Sequence, residues 1–234
     1  MTLTNRREIA EETMEFTFDT GESVYQFKAG QHTDFTLIDP PYTDSEGNIR
    51  TFSFVNAPGE KKVVIATRMR NTAFKNWLKE MPLGTTIKLK EPMGRMTLRQ
   101  DATKPAVFLV GGIGITPFMS MIDELKETSE KREIYLFYAN ASPKTAAYQV
   151  ELKESARVNP NLHYIPSYTD TSPKDWIGET GRIDVDIVKK FVKNPAESVF
   201  YTAGPPDLVS AMIALAKKLG VPEGQIKSED FDGY

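Results

Sequence analysis

Residues 104–125, KPAVFLVGGIGITPFMSMIDEL, limit the possible folds of this chain more than any other stretch. Val107, Phe108, Leu109 and Val110 form an unbroken apolar run, the pattern of a strand covered on both faces in a parallel sheet. Gly111, Gly112 and Gly114 follow at once, and glycine lets a backbone turn sharply and bare its N–H groups. A helix is then predicted over 117–127. Thr116 suits the N-cap, Pro117 suits the first helical position, and Phe118, Ile122 and Leu125 repeat at i, i+4 and i+7. A buried strand that ends in glycines and feeds a helix N-terminus suits a phosphate, because orphan N–H groups and the helix dipole both favour an anion. The dinucleotide fingerprint GxGxxG is incomplete, since Gly112 and Gly114 are followed by Ile115, Thr116 and Pro117. Taken alone, the loop is either a nucleotide site or a tight strand-to-helix turn.

The chain before this stretch has a different rhythm. Strand-like segments at 14–18, 33–38, 51–55, 62–68 and 86–90 are separated by turn signals such as Asp19-Thr20-Gly21, Asp39-Pro40-Pro41 and Pro58-Gly59. This spacing predicts a small antiparallel barrel or sandwich. A short helix interrupts it over 72–79, where Phe74, Trp77 and Leu78 share a face, and residues 98–103 read as a polar connection. After Pro105 strands at 107–110, 133–139, 162–167, 198–202 and 226–231 alternate with helices at 117–127, 146–156, 185–192 and 207–219. Gly220 closes the last helix as its C′ residue. Such alternation predicts a doubly wound parallel sheet with ligands at the carboxyl ends of its strands. The expected architecture is therefore two domains: an antiparallel β-barrel over 1–100, then an α/β doubly wound parallel sheet over 104–234.

Composition removes several chemistries. The chain has no Cys, which excludes disulfides, thiolate metal sites, Cys nucleophiles and iron–sulfur ligation by this chain; any iron–sulfur centre would sit on a partner. His32 and His163 are isolated in sequence and read as packing or surface residues. The first residues lack an apolar leader core and no run approaches the ~18 apolar residues of a membrane span, so a cytoplasmic protein with no membrane partner is expected. A net charge of −3 does not suggest a nucleic-acid partner. Residues 61–99 nonetheless hold ten Lys or Arg against Glu80 and Glu91, a local charge of +8. That stretch is either a set of solvated strand faces or a positive surface for an anionic cofactor or an acidic protein.

Three local motifs, in order along the chain, resemble the ferredoxin–NADP reductase-like flavoprotein family. Arg50-Thr51-Phe52-Ser53 resembles its Arg-x-Tyr-Ser/Thr flavin motif, residues 111–117 resemble its GGxGxTP pyridine-nucleotide loop, and Ala203-Gly204-Pro205 with Met212 resembles its Cys-Gly-Pro and downstream Met. The resemblance implies FAD as cofactor, with Arg50 pairing with its pyrophosphate, Phe52 lying against the isoalloxazine and Ser53 near N5. The start of the short helix, Thr72-Ala73-Phe74, would hold the flavin phosphates, and Arg68 is carried as a further cofactor-binding candidate. Gly112, Gly114, Thr116 and Pro117 would hold the pyrophosphate side of NADPH or NADH, and Gly204-Pro205 would let the nicotinamide approach the flavin. Glu229 would supply a proton or hydrogen bond, with Ser53 as the other catalytic candidate, while Phe231 or Tyr234 would cover the flavin face. Two departures stand out. Phe52 replaces the family's Tyr, keeping the ring and losing the hydroxyl, and Ala203 replaces the family's Cys beside the nicotinamide.

The function implied is hydride transfer from NAD(P)H to bound FAD, followed by electron delivery to a separate acceptor such as a ferredoxin-type carrier. A reductase of free flavin and a non-catalytic nucleotide-binding module are the alternatives. The strand expected over 133–139 leads into Asn140, Ala141 and Ser142 without the acid that binds a ribose 2′-hydroxyl, and Lys144 follows, so NADPH is favoured over NADH.

Overall fold

The computed structural model describes residues 1–231 and divides into two compact units, residues 1–97 with 116–127 and residues 98–115 with 128–234. The first unit contains β1 (Thr2–Ala10), β2 (Thr13–Asp19), β3 (His32–Leu37), β4 (Ile49–Ser53), β5 (Lys62–Arg68), α1 (Ala73–Glu80) and β6 (Ile87–Leu89). They form two antiparallel sheets, β1-β2-β5 and β4-β3-β6. Backbone bonds close the sheets into a barrel at both seams. Leu3 N donates to Thr85 O at 2.9 Å and Ile87 N to Met1 O at 2.8 Å, while Val55 N donates to Val64 O at 2.9 Å. Period-two alternation explains the interior, because Phe16 and Phe18, Phe35 and Leu37, Phe52 and Phe54, and Val63 and Ile65 all point into one core with Phe74 and Leu78 of α1. Each such side chain, fully buried, contributes roughly 1.5–3 kcal/mol.

Strand β1 has no counterpart among the strands named from the sequence. Only its Leu3 joins the barrel core, and bulges between Leu3 and Asn5 and between Glu8 and Ala10 break the alternation, so pairing with β2 rather than patterning defines it. The helix α2 (Thr116–Thr128) also belongs largely to this unit: Ser120 Oγ donates to Asn56 O at 2.7 Å.

The second unit is built on β7 (Ala106–Gly111), β8 (Ile134–Asn140), α3 (Gln149–Val158), β9 (Leu162–Tyr168), β10 (Glu179–Thr180), α4 (Val185–Phe191), β11 (Val199–Gly204), α5 (Pro206–Lys218) and β12 (Ile226–Asp230). The strands form one parallel sheet in the order β10-β9-β8-β7-β11-β12. Every residue of the central β7 and β11 is buried, as their apolar runs require. Val107, Leu109, Phe137, Ile165 and Phe200 pack on one face against Val188 of α4 and Met212 and Leu215 of α5. After α5, Gly220 adopts φ +78°, with its N–H bonded to Lys217 O at 3.0 Å and Val221 N to Ala216 O at 3.1 Å, a Schellman cap.

Three local readings are corrected. Thr116 is not an N-cap: Gly112–Ile115 winds into a 3₁₀ turn that runs straight into α2, and Thr116 is a buried residue of its first turn. Helix α3 starts at Gln149 rather than 146, because Tyr148 is left-handed with φ +58°. Strand β10 lies between the strand expected over 162–167 and the helix expected over 185–192, where the sequence names no element, two residues being too short to show a period.

Candidate functional site

In the second unit the order of strands reverses at β7. The chain steps outward from β7 through β8, β9 and β10, then returns to β11 on the other side. The carboxyl ends of β7 and β11 are therefore adjacent, the place where open α/β sheets hold ligands. Both ends carry glycines for different reasons. Gly112 has φ +54° and nothing within 4 Å of where a side chain would begin, so its surroundings are open. Gly114 is a packing residue, since a Cβ there would lie 2.2 Å from Ala203 O and 2.9 Å from Ala203 C. Gly204 has φ +144°, and its carbonyl accepts from Phe231 N at 2.9 Å. Pro205 then caps α5. Glu229 lies beside Ala203 in the β11–β12 register and is partly exposed. Tyr234 lies outside the described residues.

Tyr138 was not singled out from the sequence as a site residue. It is fully buried in β8, and its hydroxyl donates to Gly112 O at 2.9 Å, fixing the carbonyl side of the glycine turn. Burial pushes the phenol far above its ordinary range, so it stays a neutral donor. The legible signal was a lone hydroxyl-bearing ring inside an otherwise apolar buried run, Leu136-Phe137-Tyr138.

In the first unit the structure brings Arg50 and the start of α1 together, and both face carboxylates of the chain itself. Ala73 N donates to Asp44 Oδ2 at 2.7 Å, and Glu46 N to Asp44 Oδ1 at 3.0 Å. Arg50 Nη2 lies 2.5 Å from Glu46 Oε2 and 3.8 Å from Asp44 Oδ1, while its Nη1 donates to Ile49 O and Glu46 O at 2.7 and 2.9 Å. The guanidinium also sits over the Phe74 ring, 5.4 Å from its centroid. The Ala73 N–H bond holds the Asp44 carboxyl below its ordinary range. Thr72 caps α1 weakly, its hydroxyl accepting from Lys75 N at 3.4 Å. Lys75 is buried beneath this cluster and donates to Arg68 O at 2.8 Å; burial first, then the charges of Arg70 and Arg50, lower its pKa to about 8.

The remaining predicted residues are placed as follows. Phe52 is only 9% exposed, its ring set edge-on to Phe35 at 5.5 Å and 5.8 Å from Phe74, so most of its surface belongs to the barrel core. Ser53 is buried at the end of β4, paired in register with His32. Thr51 is exposed and donates to Asp34 Oδ1 at 2.6 Å. Arg68 reaches Glu12 at 3.4 Å. Asp44 and Glu46 escaped the sequence reading, which named neither as a site residue. His163 stacks on Tyr135 and bonds Glu133 at 2.7 Å, a packing role. Among the described residues no helix is long and apolar enough to cross a membrane.

Residues 108–214 match the model of the oxidoreductase NAD-binding domain. The chain is 27% identical over 226 residues to the flavohemoprotein of Halalkalibacterium halodurans, a match covering 91% of this chain and 54% of that protein. It spans about half the length of the curated relatives it matches. Two solved structures share its fold. One is the flavohem-like FAD/NAD-binding domain of nitric oxide dioxygenase from Vibrio cholerae, with TM-score 0.83, 17% identity and 98% of each chain covered. The other is a ferredoxin NADP+ reductase from Neisseria gonorrhoeae with bound FAD and NADP, with TM-score 0.80, 18% identity, and 98% of this chain and 96% of that one covered. The antiparallel barrel and the six-stranded parallel sheet are thus a fold shared with these two structures, and the second unit carries the match to the oxidoreductase NAD-binding domain.

Proposed function

We propose that this chain is a flavin-dependent NAD(P)H oxidoreductase that takes hydride from a nicotinamide nucleotide onto FAD and hands electrons to a separate protein acceptor. The observation that carries this reading is the reversal of strand order at β7, with glycine turns at the adjacent ends of β7 and β11. The open surroundings of Gly112 fit a nucleotide pyrophosphate, which needs close backbone approach and no side chain in the way. Gly112, Gly114, Thr116 and Pro117 would form that cradle and Gly204 and Pro205 would flank the nicotinamide, with Tyr138 holding the turn in shape.

The donor set of the first unit fits a diphosphate: the planar guanidinium of Arg50 and the Ala73 N–H both lie against the Asp44 carboxylate, with the Phe74 N–H next along the helix start and the Thr72 N–H turned to Arg70 O. When bound, the flavin would accept hydride from the nicotinamide and release electrons singly or in a pair. The chain's own part is to bind and orient, with Ser53 offering its hydroxyl to the flavin ring and Glu229 offering a proton or hydrogen bond. Phe52 would present its small exposed part to the isoalloxazine, and an aromatic cover for the flavin would come from Phe231 or Tyr234. In this reading the barrel is residues 1–100 and the nucleotide domain 104–234. Asn140 at the end of β8, without an acid, and the nearby Lys144 favour NADPH. An acidic acceptor, such as a ferredoxin-type carrier, would dock on the basic barrel surface, where Lys61, Arg70, Lys79 and Lys88 are exposed.

A second reading is a reductase of exchangeable flavin. It is favoured by the carboxylates that already satisfy Arg50 and Ala73. The test is gel filtration followed by absorption spectra before and after anaerobic NADPH, then NADH. A yellow fraction bleached by NADPH supports the main reading. A colourless protein that oxidises NADPH only with added flavin supports the second, and no oxidation with either sinks both.

A further inference from the structure

The groups proposed for the flavin diphosphate do not stand open. The segment between β3 and β4 crosses α1 and is tied to it along its length. Tyr42 OH donates to Glu80 Oε2 at 2.7 Å, with its ring edge-on to Trp77, so one end of the strap is held at the C-terminal end of α1. At the other end Asp44 accepts the Ala73 N–H at the helix start, and Glu46 forms the 2.5 Å pair with Arg50. The two strongest anion-binding groups of this region are thus each matched to a carboxylate oxygen. Lys75 and Arg70 add positive charge to the same neighbourhood, which explains why two acids are drawn into it.

We infer that the 42–48 segment is an intrasteric gate whose Asp44 and Glu46 carboxylates imitate a diphosphate at Arg50 and the α1 N-terminus, so that flavin nucleotide binds only when the strap is displaced. This inference rests on the proposed flavin site and deepens it. A carboxylate and a phosphate compete for the same guanidinium fork and the same N–H groups, and both cannot be satisfied at once. The gate discriminates by phosphate: a flavin that carries none gains nothing from Arg50 and has no quarrel with the strap. It also makes the bound flavin easier to lose than the donor set alone would suggest, because departure of the ligand is compensated by return of the carboxylates. The strap's ties are single hydrogen bonds and ion pairs whose strap-side carboxylates are partly to largely exposed, 32% at Asp44 and 62% at Glu46, a class that opens readily.

The test measures binding of FAD and of riboflavin, which lacks phosphate, by quenching of flavin fluorescence in the full chain. The variants are Asp44→Asn with Glu46→Gln, and separately Arg50→Ala. The amide pair keeps the size and turn-forming acceptors of the strap and removes only its charge, and far-UV circular dichroism checks the fold. The expected result is FAD binding tightened about tenfold in the amide pair, with riboflavin unchanged, given the modest strength of exposed pairs. Unchanged or weaker FAD binding in the amide pair, with Arg50→Ala still weakening FAD, overturns the gate and leaves the flavin site standing. Equal tightening of riboflavin also overturns it, since the effect would then not pass through phosphate. FAD binding indifferent to Arg50→Ala overturns the flavin site and the gate together.

Discussion

Both units offer an anion the start of a helix, yet one offer is taken up by the protein and the other is left open. At α1, Arg50 and the Ala73 N–H meet Asp44 and Glu46. At the glycine turn after β7, nothing lies within 4 Å of the missing Gly112 side chain. The difference follows from what each site is made of. A guanidinium that is only 19% exposed has five donors and no means of discharging, so the fold must supply acceptors whenever a ligand does not. A glycine turn is built from backbone and holds no formal charge that the fold must match. The charged group is therefore matched by carboxylates of the chain itself, whereas the glycine turn is shaped by backbone alone and has open surroundings.

The largest test of this contrast is Gly114→Ala. A Cβ would meet the Ala203 carbonyl at 2.2 Å, a backbone atom that cannot step aside alone, and a loss of about 3 kcal/mol is expected in urea denaturation. A loss below about 1 kcal/mol would mean that the turn yields, and that its glycines serve ligand approach rather than packing.

The next test concerns the charged site. Burial lowers the Lys75 pKa to about 8 from 10.5 in an open chain. Between those values the unfolded chain holds more protons than the folded one, so stability should rise as pH climbs from about 8 towards 10.5. Lys75→Met keeps the buried stem and removes the titration. Relative to it, the parent chain should gain on the order of 1–2 kcal/mol across that window, after allowance for solvent screening. Parallel stability curves for the two proteins would show that the ammonium is hydrated in place.

The smallest effect expected is for Gly112→Ala. Its left-handed φ of +54° costs a Cβ-bearing residue about 1 kcal/mol, and no neighbour is struck. Calorimetry should find a nearly unchanged fold but at least about tenfold weaker NADPH binding, since the methyl group fills the proposed cradle. Equal nucleotide affinity would move the pyrophosphate elsewhere.

Much of this molecule was legible because the informative patterns are local. The apolar run of β7, the glycines after it, the strand–helix alternation and the Gly220 cap follow from backbone sterics and from burial on both faces of one strand, which neighbouring residues suffice to encode. The barrel was legible for the same reason wherever alternate residues point inward. What tertiary structure decided were matters between residues distant in sequence. Asp44 meets Ala73 across 29 positions, Gly114 is glycine because β11 ends against it, and Phe52 is core because Phe35 and Phe74 enclose it. Charge and size at one position state what a side chain can offer; only the folded chain determines whether a partner, solvent or a ligand receives the offer.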